Sequence, residues 1–185
     1  MTVMSAPPPS LDRFIRLAKI MEWVTIVGIV LITILAAGAV LFPDWTRNLA
    51  LAKLGHGATA IQITPTGQAL AALVIAIPIG VMLFGLFAVR RMFADFAHGE
   101  ILTMRAAGHL QTFAATVLIQ APLSPLVSAG LSLALTYGNP SGSRMLMIGF
   151  SLNDYFALII GGVLFATATI MREAARVADE NASFV

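Results

Sequence analysis

Four apolar stretches set the limits on what this chain can fold into. Residues 23–42, 69–89, 113–137 and 155–171 contain no Asp, Glu, Lys, Arg or His. A helix rises about 1.5 Å per residue, so about 20 residues cross the hydrocarbon of a bilayer. Inside hydrocarbon every backbone N–H and C=O must be satisfied within the protein, which leaves helices for segments of this kind. The pattern predicts an all-α membrane protein with four transmembrane helices. Residues 1–185 form a single four-span membrane domain, too short to carry an ordinary soluble domain as well. Composition agrees: 58% of residues are hydrophobic, 11% are charged, and mean hydropathy is +0.90. A soluble domain carries about 25% charge. Soluble, disordered and nucleic-acid-binding classes are therefore excluded, and no direct contact with nucleic acid is expected. The chain has no cysteine, which removes disulfides and thiolate chemistry.

The ends of the stretches carry their own signals. Pro43-Asp44 closes the first, Arg90-Arg91 the second, Gly138-Asn139-Pro140 the third and Arg172-Glu173 the fourth. Thr64-Pro65 predicts a capped start for the second span, with Pro at the first helical position. Ser151 with Asp154 three residues later predicts a capping box for the fourth. Ser10 predicts the cap of a helix that starts at Leu11 and runs into the first span. Met92 to Ala97 should continue the second span, Gly99 should break it, and Leu102-Thr103 should start the third helix. Trp23, Trp45, Tyr137 and Tyr155 are all the Trp and Tyr in the chain, and each falls at a span end.

Lys and Arg set a direction. Arg13, Arg16, Lys19, Arg90, Arg91, Arg105, Arg172 and Arg176 lie on one side of the four spans, eight in all. Arg47, Lys53 and Arg144 lie on the other, three in all. The excess places both termini in the cytoplasm. Residues 1–10 carry no basic side chain and the first apolar run is about 20 residues long, which reads as a retained anchor rather than a cleaved leader. Residues 60–64 alternate apolar and polar, and residues 144–152 are extended in character. Both precede a span, and their pairing would make a small extracytoplasmic β-ribbon.

The third span carries the most unusual chemistry. Thr112, Thr116, Gln120, Ser124, Ser128, Ser132 and Thr136 recur every four residues. Such a row drifts about 40° per step around a 3.6-residue helix. It suits either a close packing seam against a neighbour or a polar path for a small solute or ion. Gln120, Ser124, Ser128 and Ser132 are the candidate pathway residues. Pro122 and Pro125 each remove a backbone donor beside Gln120, which could satisfy the freed carbonyls or bind a ligand. Small residues recur at Ala72, Ala76 and Gly80, and at Gly162 and Ala166, which points to helix contacts within the chain or to a homo-oligomer. No nucleophile–base pair, phosphate-cradling loop or metal-ligand spacing stands out, so no cofactor, metal or enzymatic activity is expected. The His98 and His109 imidazoles read as solvated, and the Asp95 and Glu100 carboxylates as charges paired with nearby Arg.

Two segments carry a family likeness. These are Phe96-Ala-His-Gly-Glu-Ile-Leu-Thr103 and the tail from Arg172 to Val185. With them the chain resembles the bacterial domain-of-unknown-function 2975 family of small four-span membrane proteins. That family tends to show a Phe-x-x-Gly-x-Ile-Phe-Thr-like segment after its second span, and an Arg-Glu-Gly segment before a Glu-Asn-x-x-Thr-Val-like end. Phe96, Gly99, Ile101 and Thr103 match the first, with Leu102 in the Phe position. Arg172, Glu173, Glu180, Asn181 and Val185 match the second, with Ala174 in place of Gly and Phe184 in place of Thr. The resemblance implies a bacterial inner-membrane protein that meets a cytoplasmic regulatory protein. Phe96, Gly99, Glu100, Ile101, Arg172, Glu173, Glu180 and Asn181 are then the candidate partner-binding residues.

Overall fold

The computed structural model describes residues 9–41, 64–140 and 146–182. These form four long helices: α1 (Pro9–Leu41), α2 (Pro65–Ala97), α3 (Met104–Leu135) and α4 (Leu152–Ala182). Each is 31 to 33 residues long. Each therefore spans nearly 50 Å, well beyond the roughly 30 Å of hydrocarbon. The excess lies mostly at the end rich in arginine. There, residues 9–22, 90–97, 104–112 and 172–182 continue the helices past the four apolar stretches.

Local chemistry accounts for most helix ends. Thr64 is extended and its hydroxyl accepts the Gly67 N–H at 3.1 Å, with Pro65 opening α2. Thr103 caps α3 the same way, accepting the Ala106 N–H at 3.1 Å. At α4 the Ser151 N–H donates to the Asp154 carboxylate at 2.8 Å, and the Asp154 N–H donates back to the Ser151 hydroxyl at 3.3 Å. This is the expected capping box. Gly99 takes φ of 85°, a left-handed conformation that only glycine adopts freely, and ends α2. Ser10, the cap expected from sequence, lies within α1 rather than ahead of it.

The expected β-ribbon is not seen among the described residues. Residues 146–150 form no strand; the chain there is held sideways on α3, the Met147 N–H donating to the Ser132 hydroxyl at 3.0 Å. The other half of the ribbon, at residues 60–63, and residues 144–145 lie outside the described residues.

The helices pack as a row in chain order: α1 on α2, α2 on α3, α3 on α4. The α2–α3 contact is a tight antiparallel hairpin. A Cβ at Gly85 would fall on the Thr116 hydroxyl, so glycine is needed for the two backbones to approach. Between α3 and α4, Gly161 lies against Leu118. The row Ala72, Ala76 and Gly80 and the row Gly162 and Ala166 take no such part; apart from the half-buried Ala72, they are exposed. In the most apolar part of each helix only 6% to 17% of residues are buried within the chain. The remaining apolar faces are those that lipid covers. An apolar core forms nearer the arginine-rich end, where Met92, Phe96 and Leu110 pack with Ala18, Ala106 and Ala168 and bring residues of all four helices together.

Gly85→Val should lower stability in detergent by about 1–3 kcal/mol, since overpacking a tight contact forces the helices apart. Gly162→Val should leave it unchanged, because an added Cβ there meets no atom within 4 Å. Thermal unfolding followed by circular dichroism checks both.

Candidate functional site

The polar row of α3 winds from one neighbour to the other. Thr116 is buried against α2, and the Gln120 amide donates to the Pro78 carbonyl of α2 at 3.1 Å. One step on, Ser124 faces the Asp154 carboxylate at the start of α4. Most hydroxyls in the row turn back on their own helix. Thr112 donates to the Gly108 carbonyl at 2.9 Å, Ser128 to Ser124 at 3.1 Å, Ser132 to Ala129 at 2.8 Å and Thr136 to Ser132 at 2.7 Å. Such back-bonding satisfies a hydroxyl in lipid without a partner helix. Gln120 does not reach the carbonyls that Pro122 and Pro125 free on α3; it is committed to the neighbouring helix. Its Oε1 is buried and accepts no hydrogen bond among the described residues.

The candidate partner-binding residues divide by burial. Phe96 is inside the bundle, its ring 5.7 Å from that of Phe14 and 6.3 Å from that of Phe93. Ile101 packs against the same core, and Gly99 makes the turn. Glu100 is exposed beside Gly99. The second segment is presented differently. Arg172, Glu173, Glu180 and Asn181 are all exposed on the last turns of α4. Arg172 donates to the Gln111 amide oxygen of α3 at 3.2 Å, tying the two helices. Arg176 sits between Glu173 and Glu180, 2.8 Å from the latter. This pairing lies beyond Met171, outside the hydrocarbon, and the hydrogen bond from Arg176 holds the Glu173 carboxyl below its ordinary range. In the antiparallel array both segments lie at the arginine-rich end, on separate elements.

One polar pair was not anticipated. The His109 imidazole of α3 lies 3.6 Å from the Asp95 carboxylate of α2, with side-chain exposures of 23% and 16%. The pair replaces the solvated histidine and the Asp–Arg pairing expected from sequence. Gly99 carries the missed signal: a helical hairpin that turns near residue 102 sets positions 95 and 109 opposite each other. His98 is exposed, its Nδ1 2.7 Å from the Ala94 carbonyl oxygen. Among the described residues no three His, Asp or Glu gather as a metal site.

Four helices long and apolar enough to cross a bilayer, stacked as an open row, define the class: a multi-pass, all-α membrane protein. No family model, no curated protein and no solved structure matches the chain.

The Asp95–His109 contact crosses the α2–α3 hairpin, so its two ends should not behave independently. In a double-mutant cycle with Asp95→Asn and His109→Gln, the stability losses should be non-additive by about 0.5–1 kcal/mol. Denaturation of the four proteins in the same detergent measures the coupling.

Proposed function

We propose that the chain is a bacterial inner-membrane protein that holds a soluble regulatory protein at the cytoplasmic face, through the helical tail of α4. The observation that carries this reading is the continuation of α4 past its apolar stretch as an exposed, charged helix. From residue 172 to 181 only Ala175 is buried, and Arg172, Glu173, Arg176, Asp179 and Glu180 face outward. A helix that is polar over most of its surface does not need to leave water, and its charges suit recognition of another protein. The likeness of residues 96–103 and 172–185 to a family with regulatory associations supports the same end of the molecule. Within that end the buried ring of Phe96 serves the bundle, and Glu100 with the α4 tail offers the surface. The α3 row is, in this reading, a packing seam, since most of its hydroxyls are already bonded to their own helix.

The cytoplasmic assignment of both termini rests on the eight Lys and Arg residues at one end against three at the other. The absence of cysteine makes it directly testable. With single substitutions Glu100→Cys, Leu146→Cys and Glu180→Cys, a membrane-impermeant maleimide should label position 146 in intact spheroplasts. Positions 100 and 180 should label only after the membrane is opened. The reverse pattern would invert the topology.

Removal of residues 173–185 should leave membrane insertion and yield unchanged. It should reduce in-cell cross-linking to a cytoplasmic partner by about tenfold or more, the loss expected when about 1.4 kcal/mol of contact is removed. Quantitative mass spectrometry of the cross-linked, affinity-purified protein reads the change. Equal recovery of the same partners by the truncated protein would overturn the proposal.

A further inference from the structure

An open groove of about 690 Å³ runs along one side of the helix row. Its walls are Gly80, Val81 and Phe84 of α2 and Phe165 of α4, and its floor is α3 from Gln111 to Ile119. Helix α1 takes no part in it. Along α3 the floor covers about 12 Å, close to the half-thickness of the hydrocarbon. It starts near the arginine-rich end of the spans and stops near the middle. Gly80 opens the deep end: a Cβ there would meet no atom within 4 Å.

The polarity of the groove is graded. At the deep end the lining is apolar. The two hydroxyls on the floor are already used, Thr112 on the Gly108 carbonyl and Thr116 on the Phe113 carbonyl at 2.6 Å. At the shallow end lie the Gln111 amide and the Arg172 guanidinium that donates to it. Among the described residues no carboxylate lies within ion-pair distance of Arg172; the Glu173 carboxylate next to it is taken by Arg176.

Two further arginines continue the same walls. Seven residues are close to two helical turns, so positions seven apart lie on one stripe of a helix. Arg91 stands seven residues beyond Phe84 on α2, Arg105 seven before Thr112 on α3, and Arg172 seven beyond Phe165 on α4. Because the helices are antiparallel, all three displacements run toward the same end. All three side chains are exposed. An apolar trough half a bilayer deep, with an arginine over each of its three sides, has the shape and charge of one ligand: an anionic phospholipid.

We propose that this groove is a specific site for an anionic phospholipid of the leaflet at the arginine-rich end. One acyl chain lies in the groove toward Gly80, and the phosphate sits among Arg91, Arg105 and Arg172. The proposal shares Arg172 with the outward charges of the α4 tail but does not rest on the partner-binding role of residues 173–182. A zwitterionic lipid could fill the same trough but brings no net charge to the arginines.

The test is native mass spectrometry of the full-length protein in neutral detergent. It is titrated with phosphatidylglycerol, and separately with phosphatidylcholine of the same chains. The wild type should take up the first phosphatidylglycerol at lower concentration than phosphatidylcholine. Arg91→Gln, Arg105→Gln and Arg172→Gln should each weaken phosphatidylglycerol binding about fivefold, as loss of one basic residue near an anionic headgroup predicts. Gly80→Phe, which fills the deep end, should remove the tight adduct while helicity by circular dichroism stays unchanged. The pair Arg13→Gln and Arg16→Gln on α1, away from the groove, should leave binding as in the wild type. Equal binding of the two lipids would overturn the proposal. Tight phosphatidylglycerol binding that survives Gly80→Phe would also overturn it, because attraction to surface charge alone would then explain the adduct. A loss from the α1 pair as large as that from the groove arginines would overturn it on the same ground.

Discussion

Backbone hydrogen bonding in hydrocarbon is the constraint from which the rest of this structure follows. Lipid offers no partner to a peptide N–H or C=O, so each crossing segment must satisfy its own. That demand makes the four apolar stretches helical whatever their side chains prefer. It also explains the behaviour of the hydroxyls on α3. Thr112, Ser128, Ser132 and Thr136 donate to carbonyls three or four residues back, so a polar residue costs little at those positions. Pro78, Pro122 and Pro125 are the places where the ladder is broken, and the Gln120 amide bonds the Pro78 carbonyl across the α2–α3 contact.

Once each helix satisfies itself, hydrocarbon gives it little reason to associate, because lipid tails are as apolar as leucine. Close contact must come from shape. The hairpin of α2 and α3 shows this at Gly85, where the missing Cβ admits the Thr116 hydroxyl, and the α3–α4 contact shows it at Gly161. Of the larger buried side chains, Ile29 lies within the first span, and Met92, Phe96 and Leu110 gather toward the end where the helices leave the apolar zone. Water and headgroups are near there, and the ordinary hydrophobic effect returns. The molecule is thus held by two mechanisms in sequence along its axis: small residues within the hydrocarbon and an apolar core at its edge.

This division explains what could be read from the sequence. Span number, helix starts at Thr64, Thr103 and Ser151, and the break at Gly99 are local signals, each contained within a few residues. Faces were not legible. In a helix apolar on every side, small residues recur on more than one stripe, and only the neighbour's register selects the packed one. The sequence rows at Ala72, Ala76 and Gly80 and at Gly162 and Ala166 turned outward for the most part, while Gly85 and Gly161 carry the contacts. Phe96 entered the candidate set through the family likeness of its segment, yet its ring completes the core with Phe14 and Phe93. The Asp95–His109 pair required knowing that α2 and α3 fold back on each other with a tight turn between them.

The asymmetry between the two ends of the row then acquires a physical meaning. At one end α2, α3 and α4 stop close to their apolar stretches; at the other the helices overshoot, carrying most of the chain's arginines into the headgroup layer and beyond. Arginine suits that layer because its long apolar stem can lie along the helix while the guanidinium stays wet. Different arginines meet different partners there. Arg176 is taken up by Glu173 and Glu180 on its own helix; with Asp179 the tail beyond Arg172 keeps an excess of carboxylates, which suits it to a protein surface. Arg172 is bound by a neutral amide, keeps its charge uncompensated at the mouth of the groove, and with Arg91 and Arg105 faces the lipid. One overshoot therefore supplies two surfaces of opposite character: an acidic helix pointing into water, and a cationic rim over an apolar trough.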